Sequence, residues 1–178
     1  MGIWFRRISL PVLAYVVALG SVAEAAAERR DLEVVARSVG FLSDRPSGNV
    51  TVGVVIDPDV QQSLEESKTI ESLISKGIKG PSLSLEAISV MVNDLSNLDG
   101  IDMLLITGGL ASHHASIFAA ASQRGLLTVS TDERCVDTGY CVMWVKGAPN
   151  VRIVVNRAAA RASNISFQTS FRMLITER

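Results

Sequence analysis

The sequence predicts an α/β fold: one mostly parallel sheet with flanking helices, in Rossmann-like or flavodoxin-like layering, with an antiparallel hairpin near the C terminus. Three observations predict it. Between residues 50 and 130, short runs rich in β-branched residues alternate with segments of helical periodicity, and parallel neighbours need crossovers of that length. Two later apolar runs, CVMWVK and VRIVVN, are separated only by Gly147-Ala-Pro-Asn150, a hairpin-like turn. Behind an export-type leader, about 150 residues remain, enough for one core and too few for two large ones.

The leader is the first element. Arg6 and Arg7 precede an apolar run from Ile8 to Ala23, and the sequence AEAAAERR follows. A positive start, an apolar stretch and small residues at the exit are the signature of a cleaved signal peptide, here 1–27, leaving 28–178 as a single domain. The run approaches the length of a membrane anchor, but Pro11, Gly20 and the alanine-rich exit fit cleavage better. Ala25 and Ala27 both suit the peptidase, and Ala27 is favoured. Losing Arg6, Arg7 and Glu24 moves the formal net charge from −1 to −2. A mildly acidic chain has no general electrostatic reason to bind nucleic acid.

The mature chain begins with Leu32, Val35, Val39 and Leu42 at helical spacing over 28–43, broken by Asp44-Arg-Pro-Ser-Gly48. NVTVGVVID from Asn49 reads as a buried strand. Asp57-Pro58 then suits a helix start, with Asp57 capping and the helix running to Lys76, Val60, Leu64, Leu73 and Ile74 inward, and Gly77 ending it. LEAISVMVND is the second strand and Ile101–Thr107 the third, closing on Gly108-Gly109. LASHHASIFAAASQR is the next helix, ended by Gly125, and LLTVSTD the fourth strand. After the hairpin, NRAAARASN is a short helix capped by Asn156, and Phe167–Leu174 is helical.

Cys135 and Cys141 are the two cysteines, and export makes a disulfide their natural pairing. Asp137, Thr138 and Gly139 between them can turn the chain back. Two free buried thiols are the alternative; zinc needs more ligands than this pair offers.

Chemistry is sparse. The strand-end loops at Asp57, at Gly108 and Gly109, and at Ser130 and Asp132 should share one rim, where an open parallel sheet takes a ligand or partner. The plainer reading is that the glycines permit a tight turn while Asp57 and Ser112 cap helices. No GxGxxG follows the first strand and no GxxxxGK[ST] occurs. His113 and His114 are neighbours about 100° apart on a helix, poorly placed for one metal, and read as surface residues. Ser112 or Ser116 beside a histidine lacks G-x-S-x-G and an orienting third group. Asp99, Asp102, Glu133 and Asp137 read as solvated loop charges. Trp144 is either core or an exposed partner contact. No cofactor, metal or catalytic residue is expected.

The C-terminal half resembles the YfiR-like periplasmic family. The residues that carry the resemblance are Leu127-Thr128-Val129-Ser130 with Asp132, the strand Val151–Asn156, Ala159-Ala160 and the closing Phe171-Arg-Met-Leu174. Residues 100–174 match best. Ile153 and Val154 stand where the family has phenylalanine and glutamate, and Phe41 and Arg45-Pro46 replace an aromatic helix ending in tryptophan-proline. The resemblance implies a periplasmic regulator that restrains a membrane-anchored diguanylate cyclase by binding its periplasmic sensory domain. It also implies a disulfide placed like Cys135–Cys141, with activity sensitive to its redox state. A homodimer is compatible with this reading. The competing reading is a small-ligand binding component beside a transporter; an enzyme of unknown type stands third.

Overall fold

Gly48–Ile56 forms β1, the strand around which the rest is arranged. Its Val50, Val52, Val54 and Ile56 face one core, while Val55 and the Cα of Gly53 face the other, as the two-residue period of a strand requires. The structure, a computed structural model, describes residues 27–44 and 46–178. The expected signal peptide, apart from Ala27, lies outside the described residues, as does Arg45.

The other elements are α1 (Arg29–Val39), α2 (Gln61–Ser75), β2 (Leu83–Met91), β3 (Met103–Ile106), α3 (His114–Gln123), β4 (Leu127–Ser130), α4 (Glu133–Asp137), β5 (Met143–Lys146), β6 (Arg152–Val155), α5 (Arg157–Ala162), α6 (Thr169–Arg172) and β7 (Thr176–Glu177). The seven strands form one sheet in the order β2-β1-β3-β4-β5-β6-β7. Every pair is parallel except β5 with β6. The predicted fold class is the observed one.

Two apolar cores lie on opposite faces of the sheet. Leu32, Val35, Ile70, Ile74 and Phe171 belong to the first, so α1, α2 and α6 share a face. Ile117, Ala121, Cys135 and Val136 belong to the second, so α3 and α4 cover the other. The chain leaves β1 toward β2 on one side and later reaches β3 on the other. The carboxyl ends of β1 and β3 therefore flank the switch point of the sheet.

Several expectations are corrected. α2 starts at Gln61 because the Asp57 carboxylate accepts the Asp59 N–H (3.0 Å) within a turn instead of capping the helix. Its buried face is Ser63, Glu66, Ser67, Ile70 and Ile74, rotated from the predicted one; Val60, Leu64 and Leu73 are only half-buried. The predicted cysteine loop contains the short helix α4, whose N terminus is capped by Asp132. The hairpin is not at the sheet edge: β7 adds to β6, the Arg178 N–H donating to Val155 O and the Arg157 N–H to Arg178 O. The predicted helix over Phe167–Leu174 is reduced to α6. Asn156 does cap α5, accepting the Ala159 N–H at 2.9 Å.

The end of α1 is tied to the C-terminal segment. Leu42 pairs with Phe167, the Gln168 N–H donates to Phe41 O, and Phe41 stacks on Phe171 at 5.1 Å. This contact between distant parts of the chain walls the apolar groove at that end of the domain.

Candidate functional site

The strand ends do converge on one rim. At the switch point a hydrogen-bond relay crosses from β1 to β3. The Asp57 N–H donates to Ser63 Oγ (3.0 Å), and Thr107 Oγ1 donates to Val55 O (2.8 Å). With the threonine proton so used, the 2.6 Å contact between the two hydroxyls has Ser63 as donor. All four groups are buried.

Beside this relay lies Glu66, buried on α2. Its Oε2 accepts the Gly108 N–H at 2.6 Å and its Oε1 accepts the Ala27 N–H at 3.2 Å. A carboxylate is costly to bury without such donors. At Gly108 a Cβ would stand 2.5 Å from Gln62 Nε2, the end of a flexible side chain, and 3.1 Å from Glu66 Oε2, so a larger residue there would have to displace Gln62. Gly109 is required twice over, by φ +80° and by Val60 Cγ1 at 2.7 Å from a Cβ.

Asp57 Oδ2 sits 3.4 Å from His113 Nε2. His114, next along the chain, is buried, which corrects the expectation of two surface histidines. Its Nε2 is one of two buried side-chain polar atoms among the described residues with no hydrogen-bond partner, the other being Ser163 Oγ. Burial pushes the His114 pKa down; Asp132 opposes this, while Arg134 and His113 add to it.

Ser130 and Asp132 complete the rim at β4. Ser130 Oγ accepts the Asp132 N–H (3.0 Å) and donates to Ile106 O (3.3 Å). Asp132 caps α4 through Arg134 N–H and also holds the Arg134 guanidinium. Cys135 and Cys141 form a disulfide in the second core, their Cα atoms 5.2 Å apart, with Gly139 at φ +82° turning the chain between them.

Of the two readings of Trp144, the structure has the core. The residue is 6% exposed, its Nε1–H donates to Thr131 O at 2.9 Å, and the Arg152 guanidinium lies 5.1 Å from its ring centre. The scattered acids are also more engaged than predicted. Asp102 accepts the Thr51 N–H, Glu133 pairs with Arg152 and Arg178, and Asp137 pairs with Arg178.

A second feature is apolar. A groove of about 330 Å³ is lined by Val34, Arg37, Phe41, Ile153, Phe171 and Leu174. At this end of the chain Leu174 is 67% exposed and its neighbour Met173 is 81% exposed. Val151 is exposed in the same lining. Large side chains left in water together mark an interaction surface more often than a rim whose polar groups satisfy one another.

The YfiR/HmsC-like family description, DUF4154, matches residues 43–174, most of the chain. The chain belongs to the YfiR/HmsC-like family. The match spans the rim, the disulfide and the Phe167–Leu174 segment of this YfiR/HmsC-like domain. Among curated proteins none matches the sequence.

Solved structures share the fold. A conserved domain protein from Vibrio cholerae superposes with a TM-score of 0.59 at 14% identity, covering 84% of this chain and 59% of that one. The ABC domain in complex with L-Trp from Streptococcus pneumonia gives 0.58 at 12% identity, covering 84% and 60%. A substrate binding protein with adhesive properties from Clostridium difficile, ligand-free and open, gives 0.59 at 12% identity, covering 83% and 58%. The YfiR/HmsC-like chain thus spans about three fifths of the length of each, and the likeness concerns the fold alone.

Proposed function

We propose that this protein is an exported periplasmic regulator that acts by binding, not catalysis, and restrains a membrane-anchored diguanylate cyclase through that enzyme's periplasmic sensory part. Membership of the YfiR/HmsC-like family is the observation that carries the reading. The leader of Arg6, Arg7 and the apolar run supports export, and the Cys135–Cys141 bridge fits an oxidising compartment.

The partner docks on the surface formed by Val151, Met173 and Leu174 over the Phe41–Phe171 stack. Exposed apolar anchors beside a half-open groove suit a helix or strand from another protein. The redox state of the bridge acts at one remove, since both cysteines lie in the second core, across the sheet from Phe171.

A second reading has its own observation. The Nε2 of buried His114 has no hydrogen-bond partner, and its imidazole feels the charge of Asp132 on the rim, where an open α/β sheet would bind a small solute. Purification of the tagged mature protein from its native envelope, with and without reductant, separates the two. A co-purifying diguanylate cyclase supports the regulator; a permease supports the solute-binding component.

A further inference from the structure

The last elements of the chain gather arginines. Arg157 and Arg161 stand four residues apart on one face of α5, where two like charges weaken a helix and do not support it. Arg172 ends α6 and joins them in the wall of a pocket of about 220 Å³, open to solvent, whose lining also includes Glu177, Ile165 and Phe167. Three guanidinium charges against one carboxylate leave this lining with a formal surplus of two positive charges, in a chain whose formal net charge is −1.

Glu177 shows what these arginines take. Arg172 holds its carboxylate through two bonds, Nε to Oε1 at 2.8 Å and Nη2 to Oε2 at 3.1 Å, and Arg157 Nε stands 3.6 Å from Oε2. These cations lower the Glu177 pKa, the Arg172 hydrogen bond first among the causes. Nearby, Arg152 pairs with Glu133, and Arg178 with Glu133 and Asp137. Arg161 differs. Its Nε donates to Arg157 O at 3.2 Å, and among the described residues no carboxylate pairs with it. The four other donors of its planar fork are left to solvent.

Ile165 and Phe167 give the pocket an apolar wall, which strengthens electrostatic attraction beside it by keeping water off one side. The volume equals roughly seven waters, more than a bare ion needs and enough for an anion with a short organic group. A carboxylate is satisfied by the Arg172 fork, as Glu177 shows. A phosphate offers more acceptor oxygens and suits the forks that remain.

We propose that this pocket binds a phosphate ester, with Arg161 as its principal anion contact, Arg157 beside it, and Ile165 and Phe167 against the ester's organic part. Two sources present that group, a soluble phosphate ester and the head group of an anionic phospholipid, and the chemistry at the arginines is the same for both. None of the three arginines lines the apolar groove beside Phe41, so the site stands whether or not that groove docks a cyclase.

Calorimetric titration of the mature oxidised protein with glycerol 3-phosphate tests it, together with flotation on vesicles of equal parts phosphatidylcholine and phosphatidylglycerol. Vesicle binding is counted above that to phosphatidylcholine alone. The wild type is expected to bind at least one of the two probes saturably. Arg161→Ala truncates an exposed side chain, so Tm is expected to stay at the wild-type value while affinity falls about tenfold or more. Arg30→Ala removes an equal charge outside the pocket and is expected to bind as the wild type does. Arg161-dependent binding of glycerol 3-phosphate alone supports the site with a soluble ester as its ligand, and of the phosphatidylglycerol vesicles alone supports it with a lipid head group. Saturable binding of neither probe, binding unchanged in Arg161→Ala, or equal weakening by Arg161→Ala and Arg30→Ala overturns the proposal.

Discussion

The carboxylate of Glu66 accepts the backbone N–H of Gly108 at 2.6 Å, joining α2 to the loop after β3 at the switch point of the sheet. Its second oxygen accepts the N–H of Ala27, so one buried side chain clasps the first described residue and the rim together. Removing it as Glu66→Ala strands two buried donors. The expected loss is about 2–3 kcal/mol, or roughly 5–10 °C in Tm for a domain of this size. Glu66→Gln keeps one acceptor oxygen and is expected to lose less. Calorimetry on the two variants checks the order; equal Tm values for Glu66→Ala and wild type would show that the clasp contributes nothing.

The same clasp bears on export. Ala27 is buried and its N–H is bonded, which favours cleavage after Ala25 over the cleavage after Ala27 that the sequence favours. Cleavage after Ala25 retains Ala27 in the fold. Intact-mass measurement of the exported protein is expected to show a chain beginning at Ala26. A chain beginning at Glu28 would show that the Ala27 contact is dispensable.

His114 sets a pH dependence. Its pKa in the folded protein is lowered from 6.5, first by burial, so the folded state holds it neutral while the unfolded chain protonates near 6.5. The unfolded state then binds more protons as pH falls, and stability is lost on acidification. The contribution is fully present above about pH 6.5 and declines below it, with a slope of at most about 1.4 kcal/mol per pH unit. The neighbouring charges, Asp132, Arg134 and His113, act in opposite senses and leave burial in control. Denaturant titrations at several pH values are expected to show this slope in the wild type and a flatter one in His114→Gln. Parallel slopes would assign the dependence elsewhere.

The Cys135–Cys141 bridge closes a short loop, worth about 2–3 kcal/mol in the chain-entropy picture. Cys135→Ser is expected to lower the Tm of the oxidised protein and leave that of the reduced protein nearly unchanged. Equal oxidised midpoints for mutant and wild type would deny the bridge a structural role.

Much of this fold is legible in the sequence because β1, β3 and β4 are apolar runs bounded by turn residues, and Asn156 carries a standard cap. The buried face of α2 is not. Ser63, Glu66 and Ser67 look like a solvated stripe; Ser67 donates to Leu64 O within the helix, and donors supplied by Asp57 to Ser63 and by Gly108 and Ala27 to Glu66 make the burial of those two favourable. Those donors come from other elements and leave no local signal. β7 is missed for the same reason: two residues carry no periodicity, and the pairing with β6 is decided by tertiary contact. His114 is illegible because its neighbour His113 is half-exposed beside Asp57, and adjacent helical residues give no hint which turns inward. At the rim, the glycines and acids appear in sequence as isolated turn residues, while the relay through Ser63 and Thr107 requires the fold to exist first.

The proposed partner surface offers the most direct test of the central claim. Leu174 and Met173 are exposed, so Leu174→Asp is expected to leave stability within about 1 kcal/mol of wild type while opposing an apolar contact. Tagged wild-type protein and Leu174→Asp are purified side by side from the native envelope and probed for a membrane-anchored diguanylate cyclase. The cyclase is expected with the wild type and depleted from Leu174→Asp. Recovery of a permease in its place, or equal recovery of the cyclase by both proteins, would contradict the account.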